Sequence, residues 1–264
     1  MNVFGHSPLK VVSIGAGMLL TAFIAVLLFL IVSHPSPENL IASMLSTEIQ
    51  FAITLSLITS VVSTVLCIII AVPAAYGLAR YEFPGKSVVN TALDMPLALP
   101  PLVAGVGLLL FFGTSPFGKG LAEAGLVFVF TPLGIIAAQF FVNMPFMIRI
   151  MRSTFESISP RYEYVAKTLG CTDLQAVWRV TLPMAASGFF AGAVITWAKG
   201  IGEFGAALLL AGATRMVTET LPISLFLNMS CGNLNMAISA ATILIAISIC
   251  SLYVFERYGG SARF

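Results

Sequence analysis

Six stretches of this chain, at about 11–33, 51–79, 88–112, 132–151, 185–211 and 234–255, are long and apolar enough to make a bilayer their natural solvent. The hydrocarbon core is about 30 Å thick and takes roughly 20 apolar residues per helix to cross. Unpaired backbone cannot face lipid, so each stretch is expected to be helical. The chain is too poor in charge to coat a soluble domain: charged residues make up 9% of the sequence, against about 25% in an ordinary globular protein. With 58% hydrophobic residues and a mean hydropathy of +1.00, a single soluble domain is excluded. An all-α integral membrane protein with six transmembrane helices is expected. The first run resembles a secretory signal only superficially. It extends about 22 residues, from Val11 to Val32, where a signal core has roughly 7–15, and no A-x-A-like cleavage site follows. It is expected to be a spanning helix retained in the mature protein.

Orientation follows from the basic residues. An even number of spans places both ends on one side, and gaps then alternate. Of thirteen Lys and Arg, ten fall on one side: Lys10, Arg80, Lys86, Arg149, Arg152, Arg161, Lys167, Arg179, Arg257 and Arg263. Lys119 and Arg215 fall on the other, and Lys199 lies inside the fifth run. The positive-inside rule makes the first side cytoplasmic, with both termini and the segment 152–184. A net charge of +2 gives no reason to expect a nucleic-acid partner. Cys67, Cys171, Cys231 and Cys250 are far apart, and His6 and His34 sit at opposite ends of the first run. No metal site, disulfide framework, catalytic cluster or cofactor is therefore expected. No internal repeat points to an inverted-repeat carrier, so any pseudo-symmetry must come from a second copy or a related chain.

The cytoplasmic segment of about 33 residues is long for a link between membrane helices, and it is helix-like. It reads Tyr162-Glu163-Tyr164-Val165-Ala166-Lys167-Thr168-Leu169-Gly170, then nine residues, then Val180-Thr181-Leu182-Pro183. Gly170 suits a helix C-terminus in left-handed geometry. Small Ala166 would let a partner surface approach, with Arg161 and Lys167 at its rim, and Pro183 would set the elbow into the fifth span. The stretch resembles the E-A-A, three residues, Gly, nine residues, I-x-L-P loop of ATP-binding-cassette importer permeases. Ala166 stands at the second Ala, Gly170 at the Gly, Val180 at the Ile, and Leu182 and Pro183 at the close. The family's Glu position is Tyr164, its first Ala is Val165, and Glu163 precedes by one. The resemblance implies a type I importer permease whose coupling helix docks on a separate ATPase.

Further matches narrow the family. Asp94-Met95-Pro96-Leu97-Ala98-Leu99-Pro100-Pro101-Leu102-Val103-Ala104-Gly105 looks like the Pro-rich third span of molybdate permeases, and Pro132, Asn143, Met144, Pro145 and Phe146 fit the same pattern. Gly202-Glu203-Phe204-Gly205-Ala206 looks like a signature of molybdate, tungstate and sulfate permeases, and Thr218-Glu219-Thr220-Leu221-Pro222 agrees with the molybdate/tungstate branch. The resemblance covers roughly 50–252, leaving 1–49 as an added helix and outer loop and 253–264 as a cytoplasmic tail. It implies import of molybdate or tungstate into a prokaryotic cell across the plasma membrane, with sulfate or thiosulfate as the alternative and a stand-alone carrier as a distant one. The implied partners are a second copy of the chain, two cytoplasmic ATP-binding subunits, an external substrate-binding protein and membrane lipid.

Pro96, Pro100 and Pro101, with Gly105 and Gly107, are expected to mark a hinge or gate in the third span. Gly202, Phe204 and Gly205 are further pathway candidates, with Lys199 and Glu203 as the charges deepest in a span. Charge there is costly and commonly functional. Their four-residue spacing suggests that they pair with each other. Gly188 and Gly192 suit close helix packing. Gly113-Thr114-Ser115-Pro116-Phe117-Gly118-Lys119-Gly120 nearly spells a phosphate-binding loop, but Gly120 replaces the required Ser or Thr and no strand precedes it. It is read as a turn. The chain is therefore expected to be a transport subunit and not an enzyme, with ATP hydrolysed by its partner.

Overall fold

The computed structural model describes residues 8–254 and Arg257. His6, Arg263 and most of the 253–264 tail lie outside the described residues. Helices follow one another along the chain: α1 (Pro8–Ser33), α2 (Pro37–Leu45), α3 (Thr47–Arg80), α4 (Lys86–Ala98), α5 (Pro101–Gly113), α6 (Pro116–Glu123) and α7 (Pro132–Ser157). After these come α8 (Arg161–Thr168), α9 (Asp173–Ala176), a π-helical turn (Val177–Thr181), α10 (Leu182–Met184), α11 (Ala186–Ile201), α12 (Gly205–Ala211), α13 (Leu221–Ser230) and α14 (Leu234–Val254). Among them, α1, α3, α7 and α14 are each long and apolar enough to cross a membrane, four in all, and six spans result if each of two bent pairs counts as one.

The expected third span is one such pair. α4 and α5 meet at 113°, broken at Leu99 and Pro100. Pro100 and Pro101 cannot donate backbone hydrogen bonds, so the ladder has nothing to carry it across this point. The expected fifth span, 185–211, also needs correction. It stops at Ile201, and Gly202, Glu203 and Phe204 interrupt the helix before α12 resumes at Gly205. The fourth helix runs beyond Met151 to Ser157, so the segment expected over 152–184 begins as a continuation of α7. The supposed turn at 113–120 is largely helix. Ser115 caps α6, its hydroxyl accepting from the Gly118 amide at 3.0 Å.

α3 and α7 form the spine. Cys67, Ala71, Ala75 and Leu78 pack against Met147, Met151 and Phe155 in one buried cluster. Polar contacts lock α11 to this pair: Gln139 Nε2 donates to the Gly200 carbonyl at 2.9 Å and to Thr59 Oγ1 at 3.3 Å. Lipid competes on equal terms with Leu or Val, so small residues and buried hydrogen bonds have to hold such helices together. Gly188 and Gly192 serve this way on α11. A Cβ at Gly188 would meet Thr154 Cγ2 at 2.6 Å and Cβ at 2.8 Å, and one at Gly192 would meet Met147 Sδ at 2.9 Å. Gly105 does the same for α5 against α12, where a Cβ would fall 2.9 Å from the Ala206 Cα. By contrast, every described residue of α1 beyond its first is exposed, and this helix leans on α14.

Two glycines separate close packing from mere helix membership. Gly188→Ala should destabilise the detergent-solubilised chain by about 1–3 kcal/mol through overpacking. Gly77→Ala, where a Cβ has no neighbour within 4 Å, should leave stability unchanged or raise it by about 0.5–1 kcal/mol. Equal losses at both sites in thermal melts would contradict this packing account.

Candidate functional site

The loop from Arg161 to Pro183 is built as a rigid knob. α8 ends in a two-bond C-terminal motif: the Gly170 amide donates to the Lys167 carbonyl at 3.0 Å and the Cys171 amide to the Ala166 carbonyl at 3.1 Å. Gly170 sits at φ 92°, where L side chains are strained. The chain then restarts α9 with a capping box, in which Thr172 Oγ1 accepts from the Gln175 amide and Gln175 Oε1 from the Thr172 amide. Lys167 bridges back to Asp173 at 2.5 Å. Through the π-helical turn, where Val180 is half-buried, and through α10, with Leu182 packed on the spine cluster and Pro183 exposed, the segment enters α11 at a 72° bend.

Glu163 pins this knob to the membrane body. Its side chain and that of Arg80 are each only 7% exposed, and their Oε1–Nε distance is 2.9 Å. Tyr76 donates to Oε2 at 2.9 Å and Thr181 to Oε1 at 2.8 Å. Arg80 also donates to the Ile158 carbonyl at 3.0 Å. One carboxylate thus joins α3, α8 and the turn that leads to α11. Burial alone would raise the Glu163 carboxyl. The hydrogen bonds from Thr181, Tyr76 and Arg80, with the Arg80 charge, outweigh it and hold the group below its ordinary value. Ala166, on the same face as Glu163, is buried. It therefore faces inward, contrary to the expectation that it meets a partner surface. The outward face instead carries Tyr164, Val165, Leu169, Leu174 and Trp178, with Leu169 the most open at 81%.

Five of the pathway candidates line one cavity of about 400 Å³: Pro96, Pro101, Lys199, Gly202 and Glu203. Pro100 lies at the break beside it. Phe204 meets Phe226 instead, ring centres 5.5 Å apart at a 50° tilt, and Gly205 packs against Pro101. Lys199 and Glu203 do not form the expected pair. The helix ends between them, Lys199 Nζ rests 4.2 Å from the centre of the Phe146 ring, and Glu203 Oε1 accepts from the Ala206 amide at 2.9 Å to start α12. Asn143 and Phe146 also line the cavity, and an amide inside an apolar run was the signal that could have singled out Asn143. The α4–α7 contact was not foreseen either, although Asp94 and Arg149 form a two-pronged pair at 2.8 and 3.0 Å.

Broken, small-residue-packed spans around a largely apolar cavity that holds Lys199 and Glu203, with a strapped knob projecting beyond them, define a multi-pass membrane transport subunit. The chain belongs to the family of binding-protein-dependent transport system inner membrane components, whose model matches residues 67–258. It is 34% identical to the molybdate/tungstate transport system permease protein of Pyrococcus furiosus, over 92% of each chain. It is 32% identical to a sulfate transport system permease protein of Synechocystis, over 88% of this chain and 84% of that one. Its fold is similar to a chain of a bacterial alginate ABC transporter solved with its periplasmic protein, at a TM-score of 0.68 and 16% identity, covering 93% of this chain and 95% of that one.

Removing one partner of the buried pair should expose its importance. Glu163→Ala or Arg80→Ala should each lower stability near neutral pH by about 3–5 kcal/mol, and the double variant should lose less than the sum. Because the folded carboxyl lies below its ordinary value of 4.5, its contribution is complete above that value and is lost as pH falls through the lower folded one. Unfolding of the four chains in detergent, with wild type followed from pH 7 downward, checks both. Small, additive losses would contradict the clamp.

Proposed function

We propose that this chain is the membrane-spanning permease of an ATP-driven importer of molybdate and tungstate. It would act as a homodimer with two cytoplasmic ATPase subunits and an external binding protein, both termini facing the cytoplasm of a prokaryotic cell. The observation that carries the reading is the strapped knob, with Tyr164, Val165 and Leu169 exposed on a helix whose other face is locked to α3 through Glu163. An exposed apolar surface of this kind, set beside charge, suits a partner protein. Membership of the family supplies the class, and the molybdate/tungstate relative, together with the Glu203 and Glu219 segments, supplies the substrate.

In this mechanism the ATPases do not touch the anion. Their closure on ATP moves the knob, and the knob moves α3 and α11 because Glu163 and Thr181 join them. The spans yield at their breaks, Leu99–Pro100 and Gly202–Phe204, so the cavity opens to one side and then the other. ATP and the loaded binding protein bias these states by binding one better than the other. Coupling-loop residues Glu163, Tyr164, Val165, Ala166, Lys167, Gly170, Val180, Leu182 and Pro183 thus divide into a docking face and a strap. This chain itself hydrolyses nothing.

The sulfate relative favours a second substrate, and one reconstitution decides. The chain, its ATPase and its binding protein in proteoliposomes should show ATP hydrolysis stimulated by molybdate and tungstate. Stimulation by sulfate alone would overturn the substrate. In the same system, Leu169→Asp should abolish co-purification of the ATPase while the permease still elutes as a folded species. Retained ATPase binding and transport would remove the docking role.

A further inference from the structure

The loop 212–220 between α12 and α13 closes over an acid. Glu219 is 0% exposed, whereas carboxylates are almost never fully buried unless paired. Its Oε2 accepts from the Met216 amide at 3.1 Å, and Met216 stands at φ 57°, a region that L side chains rarely adopt. Its Oε1 is buried without a donor, and its carboxyl lies against that of Glu48 in the first turn of α3. Glu48 is engaged in turn: Oε1 accepts from Asn228 Nδ2 of α13 at 3.0 Å and from Arg215 of the same loop. Arg215 also reaches Cys231 Sγ, at 3.8 Å. The titratable groups around Glu219 are thus Glu48 from α3, Arg215 from its own loop and, past Arg215, Cys231 after α13. The segments α12 and α13 carry none. Two carboxylates share one guanidinium, which leaves one negative charge over.

We propose that Glu48 and Glu219 hold one exchangeable proton between them, and that this proton fastens the loop 212–220 and α13 to the start of α3. Like charges this close, with one of them out of water, disfavour double ionisation. A single proton taken from solvent satisfies both groups, since a carboxyl donates and a carboxylate accepts. Without it the two charges repel, and Glu219 is driven towards water with the Met216 turn attached. Burial raises the Glu219 carboxyl above its ordinary value, and the Glu48 charge pushes the same way, against the Met216 amide. The folded chain therefore keeps this proton at pH values where the unfolded chain has lost it. Stability from this source falls as pH rises from the ordinary 4.5 to the raised value. That is the opposite sign to Glu163, at the other end of α3. The inference uses the importer reading only for the side of the membrane that supplies the proton, which is the outer one.

The test begins with the full chain in an ester-free detergent. Infrared spectra above the ordinary carboxyl range should show one more protonated-carboxyl C=O stretch in wild type than in Glu219→Gln or in Glu48→Gln, because an amide in place of either acid supplies the missing donor. From about pH 5 to about pH 8, wild type should lose about 3 °C or more of melting temperature relative to Glu219→Gln. That comparison cancels every group the two chains share. Should one Gln variant fail to fold, the other still decides. Equal bands in wild type and variants, or a melting gap that stays constant with pH, would overturn the shared proton. In right-side-out membrane vesicles, Thr220→Cys reports the fastening, since Thr220 is 1% exposed beside Glu219. Its labelling by an impermeant maleimide, relative to the exposed Val217→Cys, should rise about 10-fold when the outer solution is made alkaline, and Glu219→Gln should remove the rise. Labelling of Val217→Cys with no rise at Thr220→Cys would overturn the fastening. Failure to label Val217→Cys at all would instead strike the proposed orientation.

Discussion

A single buried carboxylate sets how the parts of this protein can move. Glu163 accepts from Tyr76 and Arg80 on α3 and from Thr181 at the start of the path into α11. Out of water, a charge of this kind is tolerated only when it is paired and fully hydrogen-bonded. Loosening the knob from α3 would strand both Glu163 and Arg80, so the knob and the inner end of α3 behave as one body. Directional hydrogen bonds make the attachment specific.

Flexibility is placed elsewhere. The backbone is interrupted at Leu99–Pro100 and at Gly202–Phe204, on two sides of the same cavity. Between these breaks the helices are joined tightly, by Gly105 against Ala206 and by Gly205 against Pro101. The α5–α12 unit is seated on α7, where Ala104, Ala206 and Leu210 share one buried cluster with Ile135 and Ala138. Hinges at helix ends beside a packed unit are a familiar way to convert a small push into a change of access.

Much of this was legible in residue pattern. The apolar runs located the spans because a bilayer admits few alternatives, and the Gly170 spacing located the knob because a left-handed helix end needs glycine. Hydropathy did not reveal the break at Gly202, because Lys199 and Glu203 are outnumbered by the apolar residues around them. The inward turn of Glu163 was hidden by reading the motif from Tyr164. The three-residue spacing of Glu163 and Ala166 puts them on one helix face, and that clue pointed the right way. Which group Lys199 meets was beyond sequence: once the helix ends at Ile201, a four-residue spacing no longer brings Glu203 back to it.

The central claim is that the knob and α3 move together. Spin labels at Leu169 and at Phe83, just beyond α3, placed on the same copy of the chain, would measure it by pulsed electron resonance in the complete transporter. The distance distribution should be the same with and without trapped ATP. A distribution that shifts between those states would show the knob swinging free of α3 and would contradict the clamp as the transmitter of force.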